Sequence, residues 1–267
     1  MFFDQLNPVF LDLGFLQIRW YGVMYVFAFL TLYLYARSRI TSGKAKLTLD
    51  QLDSVLLWMT VGMLIGSRLF NAIVWEPTYY ASHLWEVFAF WKGGMSFHGG
   101  LVGVVVATLV WCKRNKYSFF SLADLMIVPL SLGQAFGRIG NFFNSELYGT
   151  ITSLPWGVNF NNEVDALGNF VFRHPNQLYE AGYDIIIFAI LFAMRDRLPK
   201  KEGRLFAWFL VLYAIFRFFT EFLRADEVRM LGLTFGQYFN IVMLVAGGVL
   251  LWQLYAKKNS THIPRVN

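Results

Sequence analysis

A single cysteine, Cys112, stands in 267 residues, so no disulfide can form within this chain. Charge is scarce too. Only 15% of residues are Asp, Glu, Lys or Arg, against 57% hydrophobic and 19% aromatic, and the mean hydropathy is +0.46. A soluble domain carries more charge than this, so the composition points to a membrane protein. The four histidines, His83, His98, His174 and His262, sit in different segments without ligand spacing, so neither a metal nor a cofactor is expected. Linkers, low-complexity tracts and convincing internal repeats are missing from the pattern, which leaves one polytopic membrane domain over 1–267. The first residues carry Asp4 and Asp12 and lack a basic start, so no removable signal peptide is expected.

What the chain has is long apolar runs. Crossing a bilayer as a helix takes about 20 mostly apolar residues, and seven stretches qualify, near 18–37, 52–74, 96–112, 121–139, 178–194, 204–223 and 235–255. The expected fold is an all-α integral membrane protein of about seven transmembrane helices. Basic residues translocate poorly beside a span, and Arg37, Arg39, Lys44 and Lys46 follow the first stretch. Lys113, Arg114 and Lys116 follow the third, Arg195, Arg197, Lys200, Lys201 and Arg204 the fifth, and Lys257, Lys258 and Arg265 the seventh. The amino terminus is therefore expected outside and the carboxyl terminus in the cytoplasm. The net charge of +6 reads as topology and attraction to anionic lipid, with nothing resembling a nucleic-acid module. Residues 141–177 form the longest non-spanning stretch. Its runs WGVNF and NFVF, separated by a polar segment, predict a small outer head with short strands. Gly62 with Gly66, Gly133 with Gly137, and the trio Gly99, Gly100 and Gly103 permit close helix approach, for packing or to admit a ligand.

Polar residues inside such a chain are costly and mark function by default. The block GRIGNFFNSELYG at 137–149 packs an arginine, two asparagines and a glutamate onto the end of an apolar run. On the sixth stretch Tyr213, Arg217, Glu221 and Arg224 recur at helical spacing and share one face. The expected topology puts Tyr21, His98, Arg138 and this face at one depth, the outer interface. Two accounts fit. One is a structural ion-pair network in which Glu146, Glu180 and Glu221 neutralise Arg68, Arg138 and Arg217. The other is a phosphate clamp built from converging arginines. Two rival readings are weaker: an intramembrane serine protease with Ser96 of GMSF as nucleophile lacks an obvious base partner, and a lipid or phosphate transporter would usually show repeated halves and sites near mid-membrane.

Five blocks, IRWYG at 18–22, SFHGGLVG at 96–103, GRIGNFFNSELYG at 137–149, HPNQLYEA at 174–181 and YAIFRFFTEFLR at 213–224, give the chain its resemblance to the prolipoprotein diacylglyceryl transferases. These are integral enzymes of the bacterial cytoplasmic (inner) membrane. The resemblance implies transfer of a diacylglyceryl group from phosphatidylglycerol to the lipobox cysteine thiol of a prolipoprotein, with release of glycerol 1-phosphate. It also carries the family's site onto His98, Arg138, Glu146 and Arg217 as catalytic residues, and onto Tyr21, Asn141, Gly149, Tyr213, Glu221 and Arg224 as substrate-binding residues. One departure is Ala225-Asp226, where the family often has Pro before Asp.

The chemistry accounts for these residue types. As a thiol attacks the glycerol carbon that bears the phosphate ester, charge gathers on the departing oxygen, where fixed arginines stabilise it. Arg138 and Arg217 are expected to clamp the phosphate while Glu146 and Glu221 hold the guanidinium planes. A thiol of pKa about 8.5 is mostly protonated at neutral pH, whereas a free imidazole, at about 6.5, is mostly a base. His98 is thus the candidate base for the incoming cysteine.

Overall fold

The computed structural model describes residues 1–3, 6–197, 201–225 and 228–256; Asp4, Lys200, Asp226, Lys257, Lys258, His262 and Arg265 lie outside them. In chain order the elements are β1 (Phe2–Phe3), β2 (Val9–Asp12), β3 (Gln17–Arg19), α1 (Trp20–Thr41), α2 (Leu49–Phe70), α3 (Pro77–Ser82), α4 (Phe97–Arg114), α5 (Phe119–Phe143), β4 (Val158–Asn159), α6 (Asn176–Met194), α7 (Arg204–Thr220), β5 (Arg229–Met230), β6 (Leu233–Thr234) and α8 (Phe235–Ala256).

A helix occupies each of the seven apolar stretches. Five segments are long and apolar enough to cross a membrane: Leu49–Trp75, Phe119–Phe143, Asn176–Met194, Arg204–Leu223 and Phe235–Ala256. The protein is therefore a multi-pass, mostly helical membrane protein. Outside those five, α1 mixes Arg37 and Arg39 into its last turns and α4 ends on Lys113 and Arg114, which dilute their hydropathy. α1 also starts later than its apolar stretch, because residues 17–19 pair with β2 as an antiparallel hairpin. Only 11% of the apolar window of α8 is buried against the protein, so most of its apolar surface faces outward.

The chain forms two compact units, Met1–Tyr35 with Ala123–Asn267, and Ala36–Leu122. In the second, α2 opens on a reciprocal cap between Thr48 and Gln51. Its glycines then let α4 approach: a Cβ on Gly62 would lie 2.6 Å from the Gly103 carbonyl and from Ala107. Gly62, Gly66, Gly99 and Gly103 are filled by each other's backbones, so packing is what they do here.

In the first unit α5, α6 and α7 close around Ile127, Val128, Tyr183, Ile187, Leu191, Leu205 and Phe209. Gly203, with φ of 88°, turns the chain into α7, whose first N–H groups have no partners within the helix. Asp124 of α5 supplies them, accepting from the Gly203 N–H at 2.8 Å, Arg204 at 3.2 Å and Phe206 at 2.9 Å. α8 opens on a second reciprocal cap, Thr234 with Gln237, and the Gln237 amide also donates to the Phe218 carbonyl at 3.2 Å.

Residues 158–173 form a hairpin, as the two β-prone runs predict, with an addition from the amino terminus. Val158 pairs with Arg173 and Val164 with Phe170, while β1 runs parallel to β4. The Asn159 amide donates to the carbonyls of Glu163 and Val171 at 2.7 and 2.6 Å. Arg173 grips the Glu163 carboxylate with two bonds of 2.6 Å and lies over the Tyr148 ring.

Two expectations follow from these ties. Asp124→Ala strips the trans cap from α7 and should cost about 1–2 kcal/mol, read as a lower Tm in detergent. The bonds from Arg173 hold the Glu163 carboxyl below the usual value. Its contribution is therefore present above the unfolded pKa, ordinarily near 4.5, and is lost as pH falls through the lower folded pKa. Protection factors across 158–173, which correct exchange for its intrinsic slowing at low pH, should fall on acidification in the native protein, and Glu163→Gln should flatten that dependence.

Candidate active site

α6 carries Asn176, Glu180 and Asp184 four residues apart, so all three fall on one face, and all three are buried. Glu180, 2% exposed, is the centre. Its Oε2 lies 2.6 Å from Arg138 Nε of α5, and its Oε1 pairs with Arg217 Nη1 of α7 and accepts from Asn176 at 2.9 Å. One carboxylate thus draws two guanidiniums from two different helices. Arg217 Nη2 reaches on to Glu221 Oε2 at 2.7 Å. Glu221 is itself buried, accepts from Thr234 Oγ1 at 3.1 Å, and stands 3.9 Å from Arg224 Nη1. Gly236 leaves it room, since a Cβ there would come within 2.9 Å of the Glu221 carboxyl carbon.

In apolar surroundings such charges persist only when paired. The pairing is not sealed: 24% of the Arg138 side chain remains exposed, against 10% for Arg217. Tyr213, one turn before Arg217, stacks on Phe209 and meets Tyr183 edge-on, within electrostatic reach of both arginines. Asp184 has the same reach to Arg138 and Arg217 from one turn along α6.

A second group adjoins the end of α5. Asn141 donates to Glu146 Oε1 at 2.7 Å and Asn144 to the same oxygen at 3.3 Å, while Gln177 donates to the Glu146 carbonyl at 2.6 Å. Tyr21 is a hydrogen-bond partner of Asn141 and of Tyr25. Gly140 permits this, because a Cβ there would press within 2.9 Å of the Tyr21 ring. Ser145 and Leu147 both have positive φ, 53° and 59°, so the backbone on either side of Glu146 is held in a conformation that non-glycine residues avoid. The loop borders a cleft of about 330 Å³ lined by Ser145, Glu146, Leu147, Tyr148, Arg224 and Ala225.

Gly149 closes the far side of this loop. Its N–H donates to the His174 carbonyl at 2.8 Å, Thr150 donates to the Leu223 carbonyl at 2.7 Å, and Gly149 bridges to Arg224. A Cβ at Gly149 would lie 2.5 Å from the Leu223 oxygen. What this glycine does structurally is let the loop after α5 pass close to the segment that follows α7.

Eight predicted site residues therefore gather in the first unit around Glu180 and the 145–149 loop: Arg138, Asn141, Glu146, Gly149, Tyr213, Arg217, Glu221 and Arg224. Tyr21 joins them through Asn141. His98 belongs to the second unit, where it is exposed as the second residue of α4, with its ring 6.4 Å from Phe70 and 5.9 Å from Phe97. In that unit Ser96 is buried and caps α4, accepting from the Gly99 N–H at 3.4 Å and from Trp75 Nε1 at 3.1 Å. Its hydroxyl serves the fold, which removes the support for a serine nucleophile.

Two sequence expectations change. Among the described residues no guanidinium meets Glu146: it follows α5 by three residues and its carboxylate turns back to Asn141 and Asn144, while Glu180, as the ion-pair account foresaw, lies between the arginines. Among the described residues no glutamate carboxylate pairs with Arg68. It donates instead to the carbonyls of Glu86, Val87, Ala89, Gly93 and Gly94, and faces the Tyr80 ring. Asn176, Gln177 and Asp184 escape the sequence reading altogether, although their spacing with Glu180 is the signal that could have found them.

Comparison with known proteins matches this frame. Residues 8–253 fit the family model described as prolipoprotein diacylglyceryl transferase. Proteins named phosphatidylglycerol–prolipoprotein diacylglyceryl transferase are 39% identical in Bordetella parapertussis, over 93% of this chain and 95% of that one, and 39% identical in Geobacter sulfurreducens, over 89% of each. The protein of that name in Campylobacter hominis is 36% identical, over 92% of this chain and 90% of its own. With the match running through every helix that builds the site, the chain belongs to the prolipoprotein diacylglyceryl transferase family.

Proposed function

We propose that this protein transfers the diacylglyceryl group of phosphatidylglycerol to the lipobox cysteine of a prolipoprotein. The C–S thioether forms as the C–O bond to phosphate breaks, and glycerol 1-phosphate leaves. This is an early step of bacterial lipoprotein maturation. The chain acts as one polytopic domain of the cytoplasmic membrane, amino terminus outside, carboxyl terminus in the cytoplasm, with residues 141–177 as a periplasmic head. The observation that carries this reading is the meeting of Arg138 and Arg217 on the Glu180 carboxylate, with the partly open Arg138 as the side from which an anion is received.

Arg138 and Arg217 stabilise the charge that grows on the departing phosphodiester, and Glu180 and Glu221 keep their planes fixed before substrate arrives, so little reorganisation accompanies the reaction. His98 accepts the thiol proton. Tyr21, Asn141 and Tyr213 orient the lipid.

Incubating the purified protein with phosphatidylglycerol and a lipobox peptide should yield the thioether, detected by mass. Arg138→Ala and Arg217→Ala should each lower transfer by about 100-fold, the scale for losing one donor to a developing oxyanion; near-normal rates would discard the clamp. His98→Gln should also cost on the order of 100-fold at neutral pH, and a nearly unchanged rate would return activation of the thiol to the site's positive field. Glu180→Gln leaves two guanidiniums short of their shared partner, so both turnover and stability should fall, the latter by about 3 kcal/mol. If thermal unfolding of that variant matches the native protein, Glu180 is not the organising carboxylate.

A further inference from the structure

Arg68 has no part in the mechanism above, although an arginine is costly to bury and this one, in the last turn of α2, is only 2% exposed. Its five N–H donors are all taken up by main-chain carbonyls. Nε donates to Val87 at 3.0 Å, Nη1 to Gly93 and, at 3.3 Å, to Gly94, and Nη2 to Glu86 and, at 3.1 Å, to Ala89. No donor is left for an anion. What the guanidinium holds is residues 86–94, a stretch whose own order is short 3-10 turns and whose Phe88 and Trp91 are exposed.

That stretch leads directly to His98. Gly94, with φ of 67°, passes so close that a Cβ there would lie 2.7 Å from Arg68 Nη1. The Ser96 N–H then donates at 3.1 Å to the carbonyl of Ser67, the neighbour of Arg68, and the Ser96 hydroxyl oxygen accepts from Gly99 N–H and from Trp75 Nε1. Trp75 reaches it from the end of a π-helical turn, Asn71–Trp75, closed by the Glu76 N–H on the Asn71 carbonyl at 3.0 Å. Such turns recur at functional sites. His98 follows on the first turn of α4, with its ring 6.4 Å from Phe70. The ties converge on the backbone just ahead of the imidazole.

We propose that Arg68 and Trp75 are positioning residues: through Gly94 and Ser96 they fix the start of α4, and with it the place of the His98 ring. The inference rests on the reading of His98 as the base for the thiol. Proton transfer needs such placement, because the base must come within hydrogen-bond reach of the thiol and a shift of about 1 Å can cost about 100-fold. Lysine is no substitute for Arg68, since its ammonium is a point charge and the carbonyls are spread around a planar fork.

The test measures transfer from phosphatidylglycerol to a lipobox peptide by the full chain in detergent, between about pH 7 and about pH 9. The variants are Trp75→Phe, Ser96→Ala and Arg68→Lys, each alone and combined with His98→Gln. Trp75 is 60% exposed, so Trp75→Phe removes the bond to Ser96 with little loss of packing and carries the test if Arg68→Lys fails to fold. Near neutral pH, kcat should fall about 10-fold in Trp75→Phe and Ser96→Ala and about 100-fold in Arg68→Lys, with KM for the lipid within about 2-fold. Above about pH 8.5 the thiol ionises unaided, so these deficits should shrink to about 2-fold. In the His98→Gln background, where the base is already gone, the same substitutions should cost less than about 2-fold more.

A deficit of one size at every pH, or one that multiplies in full with His98→Gln, would overturn the proposal and leave Arg68 and Trp75 as supports of the fold. So would a native kcat in Trp75→Phe. A His98→Gln protein that transfers at the native rate near neutral pH would instead overturn the base assignment, and this proposal with it. Failure of the native protein to make thioether would overturn the transferase reading itself.

Discussion

One carboxylate in an apolar interior, Glu180, organises the site. A lone charge there would be costly, and so would either of the guanidiniums it meets; only together do they become tolerable. Because Arg138 arrives on α5 and Arg217 on α7, satisfying Glu180 on α6 also aligns three helices at one level. The hydrophobic packing of Ile127, Ile187 and Phe209 brings these helices together, and the ion triad sets their rotation. Buried ionic groups often specify geometry better than they stabilise it. That property is useful where charge must be positioned before a substrate arrives.

Support for the triad comes from groups without charge chemistry of their own. Thr234 and Gln237 begin α8 with a reciprocal cap, and Thr234 also reaches Glu221. Gly236 vacates the space in which the Glu221 carboxyl sits. Gly149 lets the loop after α5 cross the end of α7, so that Glu146 and Arg224 border one cleft. The polar network is continuous from Asn176 to Arg224, while the apolar surfaces of α8 and its neighbours are left to lipid.

The helices were legible before the structure because hydropathy is a local property, read from windows of adjacent residues. The hairpin over 158–173 was legible too, from WGVNF and NFVF, but β1 was not: Phe2 and Phe3 pair with Val158 and Asn159, a contact that no local pattern announces. The stripe from Tyr213 to Arg224 was visible because its members are close in sequence, although α7 ends at Thr220 and Arg224 is already in extended backbone. Its partner stripe on α6 was read only in part: Glu180 was named as an arginine partner, while Asn176 and Asp184, at the same period, were passed over.

Composition and period alone determined that this chain enters a membrane, where its helices lie, and which polar residues its apolar runs could not be carrying without a use. Tertiary structure decided which carboxylate meets which guanidinium, turning Glu146 toward its own asparagines and Glu180 toward two arginines. The reason is physical. Helix formation and membrane burial depend on side chains a few residues apart, whereas an ion pair between helices depends on their rotation and closeness, set by packing among residues distant in the chain.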